Sequence, residues 1–163
     1  MRESMMTEKL ARKGIRVPAD YKPDALLGIP VTDAMLRQPL TVSPSIPVAE
    51  LAARMVGNEP RWNTARLLPI TDDSGILLGV ISRADVLAAV QAALDVSVLD
   101  AGVERPLVIH LDDTLAEAED QMILHGVGRL PVVERGDEPR RLGLVSRREI
   151  LLARKHRLDA ERR

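Results

Sequence analysis

The sequence predicts a mixed α/β (α+β) fold, made of two β-α-β-β-α units packed with pseudo-two-fold symmetry. Three observations predict it. The chain repeats itself: Gly79-Val80-Ile81-Ser82-Arg83-Ala84-Asp85-Val86-Leu87 returns as Gly143-Leu144-Val145-Ser146-Arg147-Arg148-Glu149-Ile150-Leu151. Upstream, Val31-Thr32-Asp33-Ala34, Pro39-Leu40, Ala49-Glu50 and Met55 return 67 residues later as Val98-Leu99-Asp100-Ala101, Pro106-Leu107, Ala116-Glu117 and Met122. Within each copy an apolar stripe at helical spacing, such as Leu51, Ala52 and Met55, precedes two short apolar runs. Those runs are joined by turn residues, Asp72-Asp73-Ser74-Gly75 and Gly136-Asp137-Glu138-Pro139, which marks hairpins. Solenoid repeats run about 20 to 50 residues, so this longer repeat reads as two small units with a cleft between them.

The elements follow in order. Residues 4–13 suit a lead-in helix, with Met5, Met6 and Leu10 among charged residues, and Gly14 ends it. Pro18, Pro23 and Pro30 make residues 14–30 an extended linker. Each unit then opens with a short turn at Val31 or Val98, followed by a strand over 40–42 or 107–109. An amphipathic helix comes next, from Val48 to about Val56 and from Thr114 to about Leu124. The hairpin strands are expected over 67–71 with 76–81, and over 129–134 with 142–145. Each unit closes with a helix starting at Ser82 or Ser146. The expected division is thus 1–30 lead-in and linker, 31–95 first unit, and 96–163 second unit with a charged C-terminal helix. Leu68-Pro69-Ile70 and Leu130-Pro131-Val132 are only 62 residues apart, so the first unit carries a five-residue insertion within 56–66. Each small sheet hides one face under its helices, and the other faces are expected to pack sheet to sheet.

Composition narrows the chemistry. The 163 residues are 45% hydrophobic with only Trp62 and Tyr21 aromatic, so the core is aliphatic. Aromatic stacking of single-stranded nucleic acid has no basis, and a formal net charge of -1 gives no general attraction to polyanions. No nucleic-acid partner is expected. With no cysteine, thiolate catalysis, disulfides and cysteine-held metals are excluded. No apolar run approaches the ~20 residues of a membrane span, so a soluble chain is expected. His110, His125 and His156 show no metal-ligand spacing. His125-Gly126 reads as a helix C-terminus, where a cation and a glycine both fit. No nucleophile, base and metal set can be assembled, so an enzyme is not expected.

The most informative local pattern is Ser-x-x-Asp/Glu after an apolar strand: Ser82 with Asp85, and Ser146 with Glu149. One reading is a capping box, in which hydroxyl and carboxylate satisfy free backbone N–H groups. The other is an anion site: a helix N-terminus attracts phosphate, Arg83 or Arg147 reinforces it, and the carboxylate accepts from ribose hydroxyls. Spacing alone favours the cap; two copies facing one cleft favour a ligand. From Arg140 to Arg163, eight arginines and Lys155 face Glu149, Asp159 and Glu161. That stretch is a solvated face by default, and a membrane or acidic docking face as the alternative.

In order, Asp-Ala-Met, Pro-Leu-Thr-Val, the amphipathic helix, Leu-Pro-Ile and Gly-Val-Ile-Ser-Arg-Ala-Asp resemble a CBS domain, and two copies resemble a CBS pair (Bateman module). The resemblance covers about residues 30 to 155. Met6-Thr7-Glu8-Lys9-Leu10-Ala11-Arg12-Lys13-Gly14-Ile15 and the Gly57-Asn58-Glu59-Pro60 insertion are similar to the cytoplasmic C-terminal region of bacterial CLC-type chloride channels and transporters. This implies a cytoplasmic regulatory module of an inner-membrane transporter, binding AMP, ADP or ATP as a regulatory ligand with no required cofactor. Its implied partners are a second copy and the membrane part of the same protein. A stand-alone soluble nucleotide sensor and a purely structural dimerisation domain are the alternatives.

The resemblance also implies sites. One would join Thr41 and the backbone at Ala65 and Arg66 to Ser146, Arg147 and Glu149. The other would join Val108 and the backbone at Val127 and Gly128 to Ser82, Arg83 and Asp85. Glu149 stands where the family pattern has aspartate, and Val108 where it has threonine.

Overall fold

The computed structural model describes residues 25–140 and 142–162. The expected lead-in helix at 4–13 and most of the linker lie outside them. Two sheets carry the fold, with helices on their outer faces, in keeping with the predicted mixed architecture.

In the first unit, helix α1 (Val48–Met55) buries Val48, Leu51 and Met55, the stripe seen in the sequence. A single turn, α2 (Pro60–Asn63), follows within the insertion. Strands β2 (Leu67–Thr71) and β3 (Leu77–Ser82) form the antiparallel hairpin. At its turn Asp72 Oδ1 accepts from the N–H groups of Ser74 (2.8 Å) and Ile76 (3.0 Å), and Gly75 takes a φ of 82°. Helix α3 (Arg83–Gln91) closes the unit.

The second unit repeats this with β5 (Ile109–His110), α5 (Leu115–His125), the hairpin β6 (Arg129–Val133) and β7 (Gly143–Ser146), and the long α6 (Arg147–Glu161). Thr114 caps α5 in a box with Glu117, and Gly126 ends it in the left-handed region (φ 65°), with His125 in the last turn as the sequence suggested. On α6 the charges are largely paired: Arg157 with Glu161 (3.2 Å), Lys155 with Asp159 (3.9 Å), and Arg154 with Glu119 of α5 (2.6 Å).

Three expectations are corrected. The strand at 40–42 is reduced to one parallel bridge, Val42 to Ile70, because Pro39 and Pro44 flank it and cannot extend a ladder. Residues 25–30 are not extended linker: Ala25–Gly28 is a 3-10 turn, and Leu26 is completely buried against α5 and α6. Two short strands appear that no pattern announced, β1 (Leu36–Arg37) and β4 (Val103–Glu104), with the short helix α4 (Val98–Ala101) leading into the latter.

Those strands are exchanged between the units. β1 pairs with β7, Leu36 opposite Leu144, and β4 pairs with β3, Val103 opposite Val80. The sheets therefore run β1-β7-β6-β5 and β2-β3-β4. The cores follow suit: Leu26 and Val31 are buried with Leu115, Leu130 and Ile150, while Val98 is buried with Leu51, Ile70 and Ile81. Two glycines permit this. A Cβ on Gly79 would lie 2.5 Å from the Val103 carbonyl, and one on Gly102 2.5 Å from the Val80 carbonyl, so the exchanged strand approaches too closely for any side chain there.

Candidate functional site

Two clefts open where residues of both sheets meet. The first, about 420 Å³, is lined by Leu36, Gln38, Pro39 and Leu40, by Arg61 and residues 64–68, and by Arg129, Leu144, Ser146 and Glu149. The second, about 400 Å³, is lined by Arg66, Leu67, Val80 and Ser82 from one side, and by Val103, Pro106, Leu107, His125 and residues 127–131 from the other. Arg66 and Arg129 belong to both walls.

Each cleft has a helix N-terminus at its edge, and both carry the cap. Ser82 accepts from the Asp85 N–H (3.0 Å) while Asp85 Oδ2 accepts from the Ser82 N–H (3.0 Å). In the second copy, Glu149 Oε1 accepts from both the Ser146 N–H (2.7 Å) and the Ser146 hydroxyl (2.8 Å). The extra methylene of glutamate lets it reach back over the serine, so the hydroxyl also donates to the carboxylate. In each cap the bonds use one carboxylate oxygen, Oδ2 of Asp85 and Oε1 of Glu149.

The structure brings together part of each expected set. Ala65, Arg66, Ser146 and Glu149 line the first cleft; Ser82, Val127 and Gly128 line the second. The other residues sit elsewhere for visible reasons. Thr41 is half-buried just past Leu40, off the lining, where the Val42 bridge fixes the chain. Arg83 turns back on its own unit: Nε donates to the Ala65 carbonyl (2.9 Å), and Nη2 to those of Asn63 (2.7 Å) and Trp62 (3.3 Å). These three bonds hold the insertion. Arg147 lies over Gly128, whose Cβ, if added, would be 3.1 Å from Nη2; its N–H donates to the Gly128 carbonyl (2.9 Å). Asp85 is occupied by the cap and is absent from the second lining. Val108 lines a separate depression with Leu77, Leu78 and Pro139.

Sequence reasoning passed over Arg61, Thr64 and Arg129. Arg61 and Thr64 lie in the insertion, which reads as a plain exposed loop; Arg129 opens β6 without any motif around it. Gln38, also on the first lining, has a φ of 53°, and Arg105, its repeat partner, one of 51°. Both follow an exchanged strand directly, so the crossing forces the same left-handed turn twice.

A β-α-β-β-α unit present twice, with first strands exchanged between the copies and a cleft on either side of the exchange, is the architecture of a tandem-repeat module. The family model "CBS domain" matches residues 31–92 and 100–156, and the chain belongs to that family. The solved CBS-pair protein CBSX2 from Arabidopsis thaliana is 25% identical, with a TM-score of 0.65 over 83% of this chain and 99% of that one. A structure of CBSX2 in complex with AMP matches with a TM-score of 0.66 at 25% identity, over 79% of this chain and 98% of that one. The CBS pair of MJ0100, solved with 5′-methylthioadenosine and S-adenosyl-L-methionine, shares the fold at 23% identity and a TM-score of 0.63, over 82% of this chain and 98% of that one. Inosine-5′-monophosphate dehydrogenase of Helicobacter pylori is 32% identical over 84 residues, which is 51% of this chain and 17% of that enzyme. The chain thus spans about a sixth of that relative's length.

Proposed function

We propose that this chain is a non-enzymatic regulatory module that binds an adenine nucleotide in the first cleft. The observation that carries the reading is the lining itself: residues of both units, three arginines, and the Ser146–Glu149 cap converge on one opening. Membership of the CBS family and the likeness to a chain crystallised with AMP support the choice of ligand. Binding between two units regulates by favouring one arrangement of them, to the extent that the ligand prefers it.

Isothermal titration of the purified chain with AMP, ADP and ATP, with GTP as control, tests this. Adenine-selective binding that Glu149→Ala abolishes, with the circular dichroism unchanged, supports the reading. No heat up to millimolar nucleotide would leave Ser146 and Glu149 as a helix cap alone and the module as an assembly domain.

Two settings fit such a module. The resemblance of residues 6–15 and of the 57–60 insertion supports the cytoplasmic part of a CLC-type chloride channel or transporter. The match along 98% of CBSX2 supports a stand-alone sensor. Ten or more membrane spans encoded upstream in frame would decide for the first setting. Among the described residues no helix is long and apolar enough to cross a membrane. Homodimerisation is part of the proposal, supported by apolar residues left exposed on the outer helices, Leu87, Val90, Leu151 and Leu152. A monomeric mass in light scattering would remove it.

A further inference from the structure

The insertion gives the first cleft a charge that the second lacks. Helix α2 is a single turn, yet it is held on several sides. Asn63 Nδ2 donates to the Gly57 carbonyl (3.1 Å) and the Thr64 hydroxyl to that of Pro60 (2.6 Å). Arg83 secures three more carbonyls, those of Trp62, Asn63 and Ala65. Trp62 packs on the first core, with the Arg54 guanidinium 5.1 Å from its ring centroid. Arg61, exposed between these fixed points, is therefore carried at the cleft by an ordered turn, which lowers the entropy cost of any contact it makes.

Arg61, Arg66 and Arg129 all line the first cleft, and none pairs with a carboxylate among the described residues. Arg54, Arg135, Arg140, Arg154 and Arg157, by contrast, all do. Glu149 is the one carboxylate on the same lining, and its Oε1 is taken by Ser146. The wall is positive. Arg66 and Arg129 also line the second cleft, whereas Arg61 lines only the first. Three guanidinium groups on one lining offer more positive charge than a single phosphate centre neutralises. A monophosphate carries at most about two negative charges on one centre. A chain of phosphoryl groups carries more and reaches further, so that separate guanidinium forks each find oxygens.

We infer that the first cleft selects nucleoside di- and triphosphates over monophosphates, with Arg61, delivered by the insertion, as the selecting residue. This rests on the adenine-nucleotide reading of the same cleft. Because Arg66 and Arg129 are shared, a polyphosphate in the first cleft draws on the cations that the second would need, so one nucleotide binds per chain.

The test is calorimetric titration of the full chain and its Arg61→Gln variant with AMP, ADP, ATP and GTP in magnesium-free buffer. The expected result is ATP and ADP binding about tenfold or more tighter than AMP, the size of one charge-assisted contact, at one site per chain. Arg61→Gln should remove most of that advantage, lowering ATP and ADP affinity far more than AMP affinity. AMP binding as tightly as ATP, or an ATP-to-AMP ratio that Arg61→Gln does not alter, overturns this inference while the nucleotide reading stands. GTP binding as well as ATP, with the same dependence on Arg61, upholds the phosphate selection and overturns the adenine reading. Absence of binding by every nucleotide overturns both.

Discussion

Replacing Leu26 by alanine removes the side chain that ties the first described residues to the second unit. Leu26 is completely buried, in one cluster with Val31, Leu115, Met122 and Ile150, and its 3-10 turn packs on both α5 and α6. Full burial of a leucine is worth about 1.5–3 kcal/mol in transfer terms. The unfilled space adds to that, and leucine-to-alanine changes in cores cost about 2–5 kcal/mol. The turn lies at the edge of the core and can relax inward, so the loss should fall in the lower half, about 2–3 kcal/mol. Leu27, its neighbour, is 54% exposed and provides the control: Leu27→Ala should stay within about 0.5 kcal/mol of the parent. Urea denaturation of the three proteins measures the difference. Hydrogen exchange adds a local readout, because the Val31 N–H donates to the Asp113 carbonyl (2.9 Å) and the Leu115 N–H to that of Ile29 (2.9 Å). Equal stabilities for Leu26→Ala and Leu27→Ala, with those amides as protected as in the parent, would refute the docking of this segment.

Two further outcomes follow from the same geometry. Arg83→Met keeps the length of the side chain but frees three carbonyls in and beside α2; a cost of about 1–3 kcal/mol is expected, together with faster proteolysis near Arg61. Intact protease resistance in that turn would contradict the clamp. The second outcome concerns Glu117, whose carboxyl is held above the ordinary range by its hydrogen bond with Asp113, helped by burial. Asp113 is held below its ordinary value: burial pushes it up, but hydrogen bonds from the His110 backbone and Glu117 and the charges of Arg135 and His110 outweigh that. A raised carboxyl means that the folded chain binds the Glu117 proton more tightly than the unfolded one. Its stabilising contribution is therefore present at low pH and lost as pH rises through the raised value. Glu117→Gln keeps a donor toward Asp113 at every pH. The parent should therefore lose stability relative to this variant as pH rises from the ordinary glutamate range through the raised Glu117 value, measured as urea midpoints at each pH; parallel profiles would show that the two carboxyls do not share a proton.

How far the sequence announced this molecule depends on the length of each element. The hairpins and capped helices were legible because periodicity, turn residues and Ser-x-x-Asp/Glu each mark several positions at once. The exchanged strands were not, since Leu36–Arg37 and Val103–Glu104 are two residues long and show no alternation to read. Nor was the burial of Leu26, because prolines on both sides give the same local signal whether a segment docks or hangs free. The candidate site was legible in its Ser146 and Glu149 half, where a motif ends at the cleft. Its cationic half was hidden: which way an arginine turns depends on carbonyls brought close by tertiary structure, and so Arg83 points inward at its own unit while Arg61, in an unremarkable loop, reaches the cleft.

The exchange of first strands also sets the order in which the molecule can be completed during synthesis. The first sheet finds its third strand a short way downstream, at Val103–Glu104, soon after its hairpin has left the ribosome. The second sheet must take back Leu36–Arg37, made long before its partner at Leu144 emerges. Until then Leu26 and Val31 lack the core that buries them, and closing so long a loop slows the last step of folding. The earliest part of the described chain is thus among the last to find its place.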